Sequence, residues 1–424
     1  MKILQTGDTG IEVEYLSLAL TRAGFSTGKI RNTFDENVYN ALVAFQNSRN
    51  ISADGIAGEV TYSYLKDYLK GYTTIVVTPG ETPETIAQKY STTINAIKNA
   101  NPMLTDFAPG AEIIVPFGFD VVSDKVNYSY QAVTWFMEGL SKRYPFALLA
   151  TAGGSLMEKE LWYLKIGTGA KKVFFNASHH ANEWITTPVL MRFAEDYLKA
   201  VSSNSDINGK SAQELYATTT LYVLPLVNPD GVDLVNGAID SGNPYYIDAR
   251  AIASSYPDIP FPSGWKANIG GTDLNLNYPA SWEKAKEIKY SLGFTSPAPR
   301  DFVGSSPLSA IESRSVYNFS TKNNFALTVS LHTQGEVIYW KYLDYLPPRS
   351  EEIAQSLAEA SGYTLSQTPY ASGFAGYKDW FISFYNRPGY TVELGKGTNP
   401  IPITEFQNIY PAMSALLTEA VYLA

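Results

Sequence analysis

Cysteine is absent from the 424-residue chain, and histidine occurs only three times, at His179, His180 and His332. The first absence excludes disulfide staples, thiolate metal sites and cysteine nucleophiles, so any metal must sit on His, Asp or Glu. Basic runs are missing as well. Lys and Arg number 32 against 41 Asp and Glu, a net charge of −9, which leaves no electrostatic footprint for nucleic-acid phosphates and disfavours an anionic membrane surface. No apolar run approaches the roughly eighteen residues that a membrane helix needs, so no membrane insertion is expected. The opening MKILQTGDTG lacks the charged, apolar and small-residue succession of a secretory signal. The expectation is a chain that stays in the cell that made it, is exported without such a signal, or is given in mature form. What is present suffices for sizeable cores: 45% of residues are apolar, and at about 150 residues per domain the length suggests about three domains.

Residues 1–70 carry the spacing of short amphipathic helices. Val13, Leu16, Leu20 and Ala23 share one face, Gly24 and Gly28 interrupt it, and Val38, Leu42 and Phe45 define a second face. The Asp54-Gly55 turn, Gly58 and Thr61 then lead into a third helix carrying Tyr64 and Leu65. The set Ala41, Leu42, Phe45, Gln46, Asp54, Gly55, Gly58 and Thr61 resembles the peptidoglycan-binding type 1 domain. Residues 72–117 follow a βααβ rhythm, with a strand at Ile75 and Val77, helical faces at Ile86/Tyr90 and Ile94/Ile97, and a strand at Ile113–Val115. Val77 to Gly80, Thr82, Ile86-Ala87, Tyr90, Ile97, Asn101-Pro102, Pro109-Gly110 and Ile114 to Pro116 resemble a LysM domain. Both resemblances imply a peptidoglycan partner, and the second implies a shallow groove for N-acetylglucosamine-containing glycan.

Residues 120–424 read as one larger domain. Apolar runs at 172–177, 220–226, 325–331 and 389–394 alternate with amphipathic stretches such as 188–201 and 351–361. That alternation predicts an α/β sheet covered by helices on both faces. Gly, Pro and Ser crowd residues 237–271, which predicts long surface loops near a site.

Ligands in open α/β sheets gather at the carboxyl ends of strands, and the histidines fall there: His180 after the run ending at Ala177, His332 after Leu331. His180 and Glu183 stand three apart, so one tight turn can direct both at a single ion, with His332 supplied across the sheet. His179 reads as a bystander, because adjacent residues on extended chain point to opposite sides. Glu393 lies inside the apolar run Tyr390 to Leu394. A carboxylate there is costly to bury unless it faces a site or an ion-pair partner.

Six segments in order resemble the zinc carboxypeptidase family, and within it the bacterial γ-D-glutamyl-L-diamino acid endopeptidases. They are His180 to Trp184, Asn228 to Gly231, Asp273 to Pro279, Ser330 to Gly335, Lys378 to Phe381 and Thr391 to Leu394. The resemblance implies a mixed sheet, one zinc ion on His180, Glu183 and His332, and Asp273 as the carboxylate that orients a ligand imidazole. It implies Glu393 as general base, and Lys266, five residues before Gly271, at the position of the family's oxyanion-stabilising arginine. Tyr370 is the nearest counterpart of the family's mobile tyrosine. Asn275, Asn182 and Lys378 fall at substrate-binding positions.

Two departures bear on specificity. The Asn-Arg pair that grips a terminal carboxylate in carboxypeptidases reads Asn275-Leu276, and a position often occupied by Arg reads Asn182. Leucine cannot hold a carboxylate as a planar fork does. The expectation is therefore a zinc endopeptidase of peptidoglycan stem peptides, anchored on glycan, associated with the cell wall or the spore, and compatible with a mother-cell location during sporulation. Two alternatives remain open at this point: a weakly catalytic wall-binding protein with a structural zinc site, and a carboxypeptidase of short peptides.

Overall fold

The computed structural model describes residues 1–424, which divide into two compact units: Met1–Asn127 with Gln131–Leu148, and Tyr128–Tyr130 with Leu149–Ala424.

The first unit begins with helices α1 (Ile11–Arg22), α2 (Glu36–Ser48) and α3 (Glu59–Lys70). Asp35 caps α2 by accepting from Asn37 N and Val38 N, and Gly71 closes α3 in the left-handed region at φ 81°. Next come β1 (Tyr72–Val76), α4 (Pro83–Lys89), α5 (Ile94–Ala100) and β2 (Glu112–Pro116), the two strands antiparallel with Ile75 opposite Ile113. Thr82 and Thr85 form a reciprocal capping box around Pro83 at the start of α4. Val77, Ile86, Ile97, Ile113 and Val115 bury together as the small core beneath them. Helix α6 (Tyr130–Arg143) belongs to this unit from Gln131 on, with the Arg143 guanidinium donating to the carbonyls of Phe117 and Phe119.

In the second unit the strands are β3 (Leu148–Gly154), β4 (Glu160–Ile166), β5 (Lys171–Ala177), a small hairpin β6 (Asp206–Ile207) and β7 (Lys210–Ser211), β8 (Thr219–Leu224), β9 (Leu327–Thr333), β10 (Val337–Tyr339), β11 (Thr364–Ser366) and β12 (Gly389–Leu394). Eight of them form one sheet in the order β11-β10-β12-β9-β5-β8-β4-β3. The central strands β12, β9, β5 and β8 run parallel, β4 pairs antiparallel with β8, and β10 pairs antiparallel with β12 but parallel with β11, so the sheet is mixed. The helices are α7 (Thr186–Ser203), α8 (Ala212–Thr218), α9 (Pro229–Val235), α10 (Pro244–Ser254), α11 (Trp282–Ser291), α12 (Ile311–Asn323), α13 (Ser350–Ser361), α14 (Tyr377–Tyr385) and α15 (Phe406–Leu423). Successive residues of β5 serve opposite faces, as period-two alternation requires. Phe174 packs on Phe319 of α12 and Tyr377 of α14, whereas Phe175 meets Phe193 of α7.

The region 237–271 departs from the expected long surface loops. Asn243 caps α10 with Pro244 in its first turn, and Ala249, Ala253, Trp265, Ala267 and Ile269 bury into a core cluster of their own. Capping chemistry and a tryptophan anchor outweigh the local density of Gly and Pro. His332 likewise lies inside β9 rather than beyond its end.

Candidate metal centre and catalytic cleft

The turn that follows β5 is built by polar side chains. Ser178 adopts φ 53°, a conformation that is costly outside glycine and is held by its surroundings. Its N–H donates to Thr186 Oγ1 at 3.0 Å, and its hydroxyl lies 2.8 Å from both Thr186 Oγ1 and Thr187 Oγ1. The chain then enters a single 3₁₀ turn, Ala181–Glu183, which brings His180 Nδ1 to 2.9 Å from Glu183 Oε1. Asn228 fixes the turn from below: its amide donates to the carbonyls of His179 and Ala267, and its oxygen accepts from Gly231 N. A Cβ on Gly231 would meet Ala267 O at 2.7 Å and the Ala181 Cβ at 2.8 Å, so glycine alone permits this approach.

His332 arrives from β9, which lies beside β5. Its Nδ1 stands 2.9 Å from Glu183 Oε2 and 3.2 Å from His180 Nδ1. Two imidazole nitrogens facing one another across a buried carboxylate make a poor hydrogen-bond arrangement and a good donor set for a cation. His180 also presents Nε2 to Asp273 Oδ1 at 3.1 Å, which places the proton on Nε2 and leaves the Nδ1 lone pair for a metal. The His332 Nε2 atom is buried without a partner. Burial favours a protonated Glu183, but His180 and then Lys266 outweigh it and hold the carboxyl well below the usual range. Lys266 Nζ sits 2.9 Å from Glu183 Oε1; burial opposes its charge, and Glu183 followed by Asp273 more than restores it.

Glu393, on β12, is in register with His332 on neighbouring β9. No hydrogen bond or ion pair ties its carboxylate, so the structural salt bridge that would otherwise explain an acid in an apolar strand is not there. Burial and then the Glu183 charge push its carboxyl up to about 8, with Lys266 and His180 pulling the other way.

The cleft of about 190 Å³ is lined by His180, His332, Glu393, Lys266, Asp273, Asn275, Leu276 and Lys378, so most of the expected site residues meet in one place. Asn275 Oδ1 accepts from Tyr377 N. Lys378 is buried, its Nζ 2.5 Å from Asp379 Oδ1 and 2.9 Å from Lys341 O, so its charge is already matched. Asn182 is buried with Oδ1 unpartnered and lies outside the cleft lining. Tyr370 is 67% exposed on a single turn, Tyr370–Ser372, with its ring edge-on to Phe374. His179 is fully buried against Tyr278, Nε2 to hydroxyl 3.0 Å, and burial lowers its pKa, as suits a neutral packing residue. Sequence reading passed over Arg300, Asp301 and Lys289, which also line the cleft. They come from a proline-flanked loop and a helix end, where no periodicity or spacing marks them.

Residues 133–417 match the family described as zinc carboxypeptidase. The chain belongs to the zinc carboxypeptidase family. Residues 9–65 match the peptidoglycan binding domain and residues 75–116 the LysM domain. Among relatives, the chain is 40% identical over 303 residues to a protein of Lysinibacillus sphaericus named gamma-D-glutamyl-L-diamino acid endopeptidase 1, covering 72% of this chain and 74% of that one. It is 39% identical over 297 residues to the uncharacterized protein YqgT of Bacillus subtilis (strain 168), covering 70% and 77%. In fold it is similar to carboxypeptidase A of Helicoverpa armigera, with a TM-score of 0.54 at 19–20% identity shared with bovine thrombin-activatable fibrinolysis inhibitor. The former alignment covers 71% of this chain and 75% of that one, the latter 70% and 97%. This zinc carboxypeptidase relative is thus a metallopeptidase whose buried His180, Glu183 and His332 are positioned to hold the ion.

Proposed function

We propose that the chain hydrolyses the bond between the γ-carboxyl of D-glutamate and the L-centre of a diamino acid in peptidoglycan stem peptides. The observation that carries this reading is a full metal-and-base set in a cleft whose carboxylate-gripping position is Leu276, 5% exposed. Such a cleft suits an internal or unusually linked bond better than a free C-terminal residue. The activity for which the Lysinibacillus sphaericus relative is named supports the identity of the bond, and the two wall-binding modules support the substrate class.

His180, Glu183 and His332 would hold one zinc ion, which when bound supplies a Lewis acid for the scissile carbonyl and an acidified water. Asp273 keeps the His180 tautomer fixed. Glu393 takes the proton of the attacking water and returns it to the leaving amine, which needs no nucleophile from the protein. Lys266 contributes positive charge on the side where the carbonyl oxygen becomes anionic, as a point charge rather than a fork. Asn275 offers its amide N–H atoms to substrate, since its oxygen is already engaged. By the resemblance Tyr370 is a catalytic side chain and Lys378 and Asn182 are substrate-binding ones, although Tyr370 and Asn182 lie outside the cleft lining and the Lys378 charge is taken by Asp379.

The organisation we propose is a peptidoglycan-binding domain over 1–70, a LysM domain over 72–117 and the peptidase over 120–424. Holding glycan makes encounter with the attached stem peptide intramolecular and raises its effective concentration without any new contact in the cleft. Wall degradation at the cell wall or the spore, including within a mother cell, is the setting that fits. Product masses from defined muropeptides treated with the zinc-loaded protein test the reading. Release of diamino-acid-containing fragments by the native protein and not by Glu393→Gln supports it; release of single C-terminal residues would replace it with a carboxypeptidase.

A further inference from the structure

The loss of the carboxylate clamp at Leu276 leaves a cleft that is not short of cations. Arg300 lines it from the loop 297–302, and that loop is laced to the segment carrying the zinc-orienting carboxylate. Ala298 N donates to Gly271 O, Lys266 N and Ala267 N to Pro299 O, and Asp273 N to Phe302 O, all between 2.8 and 3.0 Å. Asp301 N closes the set on Asp273 Oδ2 at 3.2 Å. Asp301 itself has φ 66°, a backbone region that persists only where the surroundings over-determine it.

The side chain is oriented as firmly as the backbone. Arg300 Nε donates to Asp301 Oδ2 at 2.6 Å, and Asp301 Oδ1 is met at 2.5 Å by Lys289, whose side chain is 5% exposed. Lys289 already balances the Asp301 charge, so the trio carries one net positive charge, and that charge is on Arg300. Only Nε is engaged; no hydrogen bond within the chain uses either Nη, and the side chain is 45% exposed. A guanidinium held at one edge with its outer fork free suits bidentate recognition of a carboxylate.

We propose that Arg300 is a specificity residue that binds a free carboxylate of the stem peptide, doing from a different loop what Leu276 cannot do. This rests on the proposed γ-D-glutamyl reading. Attachment through the γ-carboxyl leaves the glutamate α-carboxylate free beside the scissile bond, and a diamino acid brings a further carboxylate on the amine side. An ordinary α-linked peptide offers neither carboxylate within its interior. Arg300 therefore selects for the linkage as well as for charge.

The experiment compares the zinc-loaded native protein with Arg300→Gln and Arg300→Lys on four γ-D-glutamyl-diamino acid peptides: both carboxylates free, either one amidated, and both amidated. The native protein is expected to prefer the free form by about 10- to 100-fold in kcat/KM, the scale of a hydrogen-bonded charge pair. Arg300→Gln loses that preference, lowering kcat/KM on the free peptide far more than on the matching amidated peptide, while Arg300→Lys recovers part of it. The amidation that abolishes the preference identifies which carboxylate is bound. Equal loss on all four peptides, or on none, overturns the assignment. Calorimetric binding of the same peptides to Glu393→Gln and to Glu393→Gln/Arg300→Gln separates the two readings. Arg300-dependent binding without cleavage by the native protein sinks the hydrolytic function alone, and Arg300-independent binding sinks this proposal alone. Zinc content and the unfolding midpoint confirm that each variant is folded.

Discussion

The residues that mark the small N-terminal modules and those that mark the peptidase behave in opposite ways. In the first helical module Gln46 Nε2 donates to Asp54 Oδ1, Ile56 O and Thr61 Oγ1, while its oxygen accepts from Gly55 N at 3.0 Å. In the LysM module Asn101 donates to Ile97 O and Ile114 O and accepts from Ile114 N. These motif side chains saturate their own backbone. At the sheet end of the peptidase, His180 and His332 turn Nδ1 atoms toward each other and Glu393 has no partner at all. A motif that satisfies itself identifies a fold; one that leaves bonding capacity open identifies a site.

The comparison breaks first if the open capacity is not used by a metal. Chelation should abolish hydrolysis and stoichiometric zinc should restore it, with far-ultraviolet circular dichroism unchanged; full activity in the chelated protein would leave the site without a role. Glu393→Gln should come next, lowering kcat by about 10²- to 10⁴-fold while zinc content stays at the native level, as read by metal analysis alongside turnover. Asp273→Asn should act more weakly. It removes the acceptor that fixes the proton on His180 Nε2, and such changes weaken metal binding by about 10- to 100-fold, measurable by competition with a chromogenic chelator.

How far the sequence went follows the same division. The spacing of His180 and Glu183 was legible because one tight turn sets it, and His332 was legible as a candidate ligand, although it lies inside β9 rather than after it. Glu393 was legible because an acid inside an apolar strand is conspicuous on physical grounds. The helix-covered α/β sheet over the larger domain followed from buried runs alternating with helices, whereas its mixed character came only from the family resemblance. Arg300 was not legible, because its position depends on hydrogen bonds between two loops separated by the whole 273–299 stretch. Lys378 had the type and the place expected of a substrate contact, but its adjacent Asp379 occupies its charge, which spacing alone does not reveal. Helix α10 was hidden because Gly and Pro density describes the ends of an element as readily as a loop.

In the self-satisfied modules the predicted effects are on stability rather than turnover. Gln46→Ala leaves the buried Gly55 N–H without its acceptor and should destabilise the N-terminal unit by about 1–2 kcal/mol, seen in chemical denaturation. The smallest effect belongs to Glu138, which accepts from Lys70 Nζ at 2.8 Å and Tyr72 Oη at 2.6 Å with its side chain 31% exposed. Burial raises its pKa, and the Lys70 and Tyr72 hydrogen bonds more than reverse this, so the folded value lies below the unfolded one. The stabilisation is therefore complete above the unfolded glutamate value of about 4.3 and fades as the pH falls through the folded value. Solvent screening keeps it below about 1 kcal/mol. Glu138→Gln should lower the denaturation midpoint slightly at pH 7, and the gap should shrink as acid carries the pH through the lowered folded value. A gap that keeps its size down to full protonation of the carboxyl would assign the loss to packing rather than charge, and would place this ion pair with the saturated scaffold instead of among the ionisable groups.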